Sequence, residues 1–212
     1  MKLKVGIVGS HGVGKSTLAA ELSKLTNTPL IIEIARNHNV NTKDRREYFH
    51  IQKNILNDQL AAEWAHESTG YISDRTTIDN LAYFKAGAKY TPDEYSDYEQ
   101  KAKFYRFEYS HIFYLPIEFG LEDDGFRFVD VDYQKQIDVI LMDILSTVTA
   151  NVHTITGTHN ERVEQAMKIL KEELHATLRY EKDECSDKKS TSKSYTRLSQ
   201  GQSRLHSTPG MR

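Results

Sequence analysis

One cysteine, four prolines and a single tryptophan are spread over 212 residues. With Cys185 alone, an internal disulfide and any cysteine-based zinc cluster are excluded, and this thiol lies in a polar stretch with no evident base beside it. No apolar run approaches the roughly 20 residues that cross a bilayer. Nothing at the N-terminus resembles a secretory leader, because strand-like sequence begins almost at Met1, so a soluble, cytoplasmic chain without a membrane partner is expected. An excess of one charge is missing too: 28 Lys and Arg against 30 Asp and Glu leave a net charge of −2, with a pI near 6.5. That balance excludes a whole-protein electrostatic footprint for nucleic acid and leaves room only for a local basic groove. Glycine is sparse, yet three of the eleven, Gly9, Gly12 and Gly14, fall in one short stretch.

That stretch, Gly9-Ser10-His11-Gly12-Val13-Gly14-Lys15-Ser16-Thr17, fills every fixed position of G-x-x-x-x-G-K-[S/T]. Polyphosphate carries dense negative charge and must be met by many donors at once. Glycines let the backbone curl so that successive N–H groups converge on it. Lys15, expected to face the surface as a ligand group, places an ammonium on the β- and γ-phosphates. Ser16 offers a hydroxyl to Mg²⁺ at the positive end of a helix, and Thr17 lies toward the α-phosphate. His11 and Val13 complete the nucleotide-binding loop. The flanks agree, since Leu3 to Val8 reads as a buried strand and Thr17 to Leu22 as the helix that follows.

Apolar runs then alternate with helical periods, the pattern of a parallel sheet covered by helices. Strands are expected at Leu3 to Val8, Leu30 to Ile34, Tyr71 to Asp74, His111 to Leu115 and Val152 to Thr156. This is an α/β P-loop NTPase fold: a five-stranded, mostly parallel sheet with helices on both faces. Ligands in such sheets sit beyond the carboxyl ends of the strands, which is where Glu33, Arg36, Asp74 and Arg75 emerge. Glu33, between Ile32 and Ile34, is a costly place for an idle carboxylate and is a candidate base or acceptor-positioning group. Asp74 suits Mg²⁺ or its bound water, and equally suits the cap of the next helix. Arg75 beside it can reach a phosphate.

The segment Asp44 to Glu67 predicts one long helix with Phe49, Leu56, Leu60 and Trp64 as its core stripe, and Tyr48, Phe49 and Gln52 as candidate contacts for an acceptor ring. Thr91-Pro92-Asp93-Glu94 predicts a capped helix start, with a tyrosine-rich helix running to about Tyr109. Its Lys101, Lys103 and Arg106, interleaved with aromatics, would allow a grip on single-stranded nucleic acid. After the fourth strand, Glu122-Asp123-Asp124-Gly125-Phe126-Arg127 reads as a lid whose Arg127 meets charge on the transferred phosphoryl, and a helix from Tyr133 to Leu145 follows. Backbone at Gly157, after the fifth strand, is where a purine would lie. The Asn/Thr-Lys-x-Asp motif that reads guanine is absent, which favours ATP. From Glu181 onward seven Lys and Arg face four Asp and Glu with few large apolar residues, so residues 181–212 are expected to be a disordered basic tail behind a 1–180 domain.

Taken together, Gly9 to Thr17, Glu33-Ile34-Ala35-Arg36, Asp74 to Ala82 and the acidic run Glu122 to Arg127 resemble the NadR-like P-loop ATPase/kinase family, whose members include nicotinamide riboside kinase domains. Asp74-Arg75-Thr76 is also similar to the acid-arginine pair at the same strand end in thymidylate and deoxynucleoside kinases. What the resemblance implies is transfer of the γ-phosphate of ATP·Mg²⁺ to a nucleoside- or nucleotide-type acceptor. Lys15 and Ser16 would serve the donor, Glu33 or Asp74 would orient or deprotonate the acceptor, and Arg75 and Arg127 would stabilise transferred charge. Two other readings stand beside it: a kinase acting on a hydroxymethylated base in DNA, and a regulatory ATPase switch.

Overall fold

Lys4–Val8 (β1), buried along its whole length, is the middle strand of a five-stranded sheet in the computed structural model, which describes residues 2–104, 109–120, 130–148 and 151–172. The order is β2 (Leu30–Ile31), β3 (Tyr71–Asp74), β1, β4 (His111–Tyr114), β5 (Val152–Thr154), with every pairing parallel. Asp74 of β3 lies opposite Ile7 of β1, and Tyr114 of β4 opposite Val8. The chain leaves β1 with β3 on one side and β4 on the other, so the topological switch point falls at the loop that follows Val8.

Strand alternation divides the core between the two faces. On one face Val8, Tyr71, Ile112 and Tyr114 join a cluster built with α2 (Arg45–Ala65), α3 (Thr77–Gly87), α4 (Pro92–Phe104) and α5 (Val131–Ser146). On the other, α1 (Lys15–Thr26) lies against β1, β2 and β3 and buries Leu18, Ala19 and Leu22. Lys2–Met167 form one unit. The last described helix, α6, spans 159–172, and its residues from Lys168 onward fall in a second unit. Among the described residues no helix is long and apolar enough to cross a membrane. The 121–129 segment with Arg127, and residues 173–212 with the expected 181–212 tail, lie outside the described residues.

Several elements differ from their sequence pattern. β2 stops at Ile31, Ile32 is 59% exposed, and a 3₁₀ turn over Ile34–Asn37 follows, so the alternation through Ile34 is not a strand. Trp64 is 72% exposed, whereas the buried stripe of α2 contains Phe49, Ile55, Leu56 and Leu60 with Gln52, Gln59 and Glu63 among them. Asp74 does not cap α3: Thr76 does, its hydroxyl accepting from the Ile78 amide, while Asp79 reaches back to the Thr76 amide at 2.9 Å to close a capping box. The start of α4 follows its pattern, with Thr91 and Glu94 exchanging side chain-to-amide bonds. Its tyrosines turn inward. Tyr98 stacks on Phe84 at 3.8 Å between ring centroids and its hydroxyl donates to the carbonyls of Gln52 and Asn80, tying α2 to α3. Such a pair adds about 0.5–1.5 kcal/mol beyond its burial. With Lys103 on Glu99 and Lys101 on Asn57, described α4 offers no aromatic platform to a nucleic acid strand.

Candidate active site

The phosphate loop curls where the glycines stand. Gly12 (φ 76°) and Gly14 (φ 90°) are both left-handed, a conformation that costs other residues roughly 1–2 kcal/mol. The loop is held from outside: the Gly9 amide donates to Asp79 Oδ1 at 3.3 Å, and Gln134 Nε2 of α5 donates to the His11 carbonyl at 2.7 Å. α1 starts from Gly14, which contributes no side-chain cap, so its first-turn amides and positive dipole end open beside exposed Ser16 and Thr17.

Lys15 is not a surface group, being 5% exposed with Nζ donating to the Ser10 carbonyl at 2.5 Å. Burial, and then the nearby Arg75 charge, bring its ammonium down to about 7, against the pull of Asp79, Asp74 and Glu33. Asp74 is buried, and its Oδ1 has no hydrogen-bond partner among the described residues. An orphaned buried carboxylate oxygen behind a P-loop, with a serine hydroxyl exposed at the helix start, is a donor set that fits a hard, oxygen-liganded cation on phosphate. No cluster of three or more His, Cys, Asp or Glu suited to holding a metal occurs among the described residues.

Glu33 and Arg75 form a buried ion pair of the site, at 3% and 4% exposure. Arg75 Nε donates to Glu33 Oε1 at 2.6 Å, and Arg36 Nε donates to Oε2 at 3.1 Å. The turn that shortens β2 is what brings Glu33 inward to meet an arginine 42 positions later. Arg75 itself is left-handed (φ 80°), and its guanidinium lies 4.8 Å above the Tyr83 ring and 3.8 Å from Asp79. Burial works against that charge; Tyr83, Glu33 and Asp79 outweigh it.

A cavity of about 600 Å³ opens against the Arg75 member of this pair. Arg75 and His11 stand at its phosphate-loop end, Tyr48, Tyr83 and Tyr133 supply aromatic wall, and the carboxamides of Gln52 and Asn80 also line it. The Asn80 Nδ2 is buried without a partner among the described residues. His11, read as part of the nucleotide loop, puts its ring on this wall, 3.1 Å from the Tyr83 hydroxyl and 6.0 Å from the Tyr133 ring. Tyr48 and Gln52 line the cavity as their pattern suggested. Phe49 does not: it is 2% exposed and packs 5.7 Å from Phe84 in the core.

Behind Arg75 lies a buried polar network that belongs to no sequence motif. Gln59 Nε2 donates to Glu63 Oε1 (2.7 Å) and Ser73 Oγ (3.0 Å), Ser73 Oγ donates to the Arg75 carbonyl (2.6 Å), and the Tyr109 hydroxyl donates to Glu63 Oε1 (2.5 Å). Burial pushes the Glu63 carboxyl from about 4.5 up to about 7, although Tyr109, Gln59 and Lys4 oppose the rise. Between those two pH values the folded protein keeps a proton that the unfolded chain has released. Stability is therefore greatest below pH 4.5 on this account and falls as pH rises through 7, by up to about 3 kcal/mol. Glu63→Gln is expected to flatten that slope, leaving the variant relatively more stable at pH 8 than at pH 5. Urea unfolding of both proteins at the two pH values checks it, and identical slopes would count against a protonated Glu63.

Gly157 sits at the far side of the loop, its amide donating to Glu118 at 2.9 Å. Arg162, absent from every motif, is 3% exposed and donates to both the Val13 carbonyl and Glu118. The structure thus brings Lys15, Glu33, Asp74 and Arg75 around one loop, and Gly157 to its other flank.

The sequence matches the family described as AAA domain over residues 4–162. Among solved structures it is similar to deoxyadenosine kinase from M. mycoides with dCMP and dCDP bound, at 18% identity and a TM-score of 0.61, over 80% of this chain and 99% of that one. The same enzyme with dATP bound gives 16% identity and 0.58, over the same shares of the two chains. Thymidylate kinase from Candida albicans gives 16% and 0.57, over 81% of this chain and 92% of that one. At such identities the likeness is one of fold, and no curated protein sequence matches this chain. The match over three quarters of the length, carried on a P-loop and a five-stranded parallel sheet, means that the chain belongs to the AAA domain family of P-loop proteins.

Proposed function

We propose that this protein is a P-loop phosphotransferase that moves the γ-phosphoryl of ATP·Mg²⁺ to a hydroxyl or phosphate of a nucleoside- or nucleotide-type acceptor. The observation that carries the reading is the aromatic-walled cavity abutting the phosphate loop, with Arg75, held by Glu33, where the two meet. Its volume lies in the range of small-molecule sites, and tyrosines with two carboxamides are the chemistry that holds a flat, hydrogen-bonding ring. A hydrolytic switch has no use for such a room beside its phosphates. The named ligands of the structurally similar enzymes, dCMP, dCDP and dATP, belong to the same chemical class. The resemblance to nicotinamide riboside kinase domains adds that riboside to the candidate acceptors.

In this reading the loop amides and Lys15 hold the donor phosphates, and Ser16 and Asp74 would hold Mg²⁺, which supplies charge neutralisation between the β- and γ-phosphates. Glu33 accepts a proton from, or orients, the acceptor hydroxyl. Arg75, kept charged and aimed by Glu33 and Tyr83, meets negative charge on the moving phosphoryl. Positioning and electrostatics are most of what phosphoryl transfer asks of a protein.

The test is transfer of labelled γ-phosphate from ATP·Mg²⁺ across nucleosides, nucleoside monophosphates, nicotinamide riboside and hydroxymethylated DNA, with hydrolysis as control. Label on one small acceptor is the expected outcome and names the substrate. Label on DNA would move the reading to a base-modifying kinase. Phosphate released at one rate whatever the acceptor would replace a kinase with a switch.

A further inference from the structure

Arg162 lies in the first turn of α6, where its amide donates to the Thr158 carbonyl, and its side chain works on two loops at once. One Nη donates to the Val13 carbonyl in the phosphate loop and the other to Glu118 Oε2 at 2.6 Å. The Glu118 carboxylate also accepts the Gly157 amide, at 2.9 and 3.1 Å from its two oxygens. The Phe119 ring lies 5.1 Å from the guanidinium carbon. A β-carbon placed on Gly14 would come within 3.3 Å of the same Nη that holds Val13. Its Nε is buried with no partner among the described residues.

The direction of the Val13 bond gives the arginine a task. In a trans peptide the carbonyl of one residue and the N–H of the next point opposite ways. With the Val13 carbonyl fixed toward Arg162, the Gly14 N–H is fixed away from it. That amide lies between the left-handed turn at Gly12 and the start of α1, where the loop's donors converge. A planar guanidinium can hold a carbonyl and a carboxylate in one rigid frame, which an ammonium cannot.

Resting on the reading of the loop as a nucleotide site, we propose that Arg162 is a positioning residue for nucleotide binding: through Val13 it aims the Gly14 amide at phosphate, and through Glu118 it locks the Gly157 turn into the same frame. The two arms separate by ligand. The Val13 arm acts on the phosphates whatever they carry, and the Glu118 arm acts on the part of a nucleotide beyond them.

Calorimetric titration of the full chain with ATP·Mg²⁺ and with tripolyphosphate·Mg²⁺ tests both arms, using Arg162→Lys and Glu118→Gln beside the unaltered protein, with unfolding midpoints recorded. Arg162→Lys is expected to weaken both ligands about tenfold, the order of one charge-assisted bond. Glu118→Gln, a mild change on a half-buried side chain, is expected to weaken ATP several-fold and leave tripolyphosphate within twofold, at an unchanged midpoint. A structural role alone would lower the midpoint and weaken both ligands together in both variants, and that result overturns the proposal. So does unaltered affinity in Arg162→Lys. If the unaltered protein binds ATP and only the variants fail to differ, the clamp falls and the nucleotide reading stands. If the unaltered protein binds neither ligand, the nucleotide reading falls and takes the clamp with it.

Discussion

Lys15→Met is expected to lower phosphoryl transfer by about 10²–10³-fold, the cost of one preorganised charge on a developing anion. Met is the informative replacement because Lys15 is buried: Ala would leave a hole beneath the loop, whereas Met keeps most of the volume and removes only the charge. The buried setting adds a pH signature. At about 7, the Lys15 ammonium is half deprotonated at neutral pH, chiefly because burial disfavours the charge. A triphosphate supplies the opposite charge and restores it. Binding of ATP·Mg²⁺ at pH 8 is therefore expected to take up close to one proton, and affinity to weaken as pH rises above 7. Calorimetry in buffers of different ionisation enthalpy measures the uptake. No uptake, or an active Lys15→Met enzyme, would remove Lys15 from the donor site.

How much of this was legible follows from how local each signal is. The phosphate loop is a property of nine consecutive residues, and its left-handed glycines appear where the pattern puts them. Strand number and parallel pairing follow from apolar runs, and the capping box at Thr91 from four residues. Glu33 shows the limit. Ile32-Glu33-Ile34 alternates like a strand, but the buried Arg75 just past β3 draws the carboxylate inward, and tertiary electrostatics override the local pattern. Tyr48 and Phe49 are neighbours on α2, and about 100° of helix rotation sends one ring to the cavity and the other to the core. Gln59, Glu63 and Arg162 belong to no motif, and their placement depends on Ser73, Tyr109 and Glu118, which lie on other parts of the chain. His11 obeys the loop pattern, while its ring is placed by Tyr83 and Tyr133, from two helices distant in sequence.

The second large effect concerns the pair that joins the phosphate loop to the cavity. Glu33→Gln preserves size and can still accept from Arg75, so it isolates the charge. Transfer is expected to fall about 10²–10⁴-fold, as for loss of a general base, with ATP affinity nearly unchanged. Folding stability should drop by about 1–3 kcal/mol, since a hydrogen-bonded charge is weakened and the variant leaves Arg75 with Asp79 at 3.8 Å and the neighbouring Asp74 as its carboxylates. Arg75→Lys keeps a cation but not the fork that spans Glu33 and Tyr83, and should cost transfer comparably. The double variant decides between roles. If Glu33 acts chiefly by aiming Arg75, the second substitution adds little to the first, because both break one unit. If Glu33 takes the proton and Arg75 meets the phosphoryl charge, the two losses approach additivity. Turnover within a few-fold of the unaltered protein in either single variant would leave this buried pair as scaffold, and the reacting groups would have to be sought elsewhere along the cavity wall.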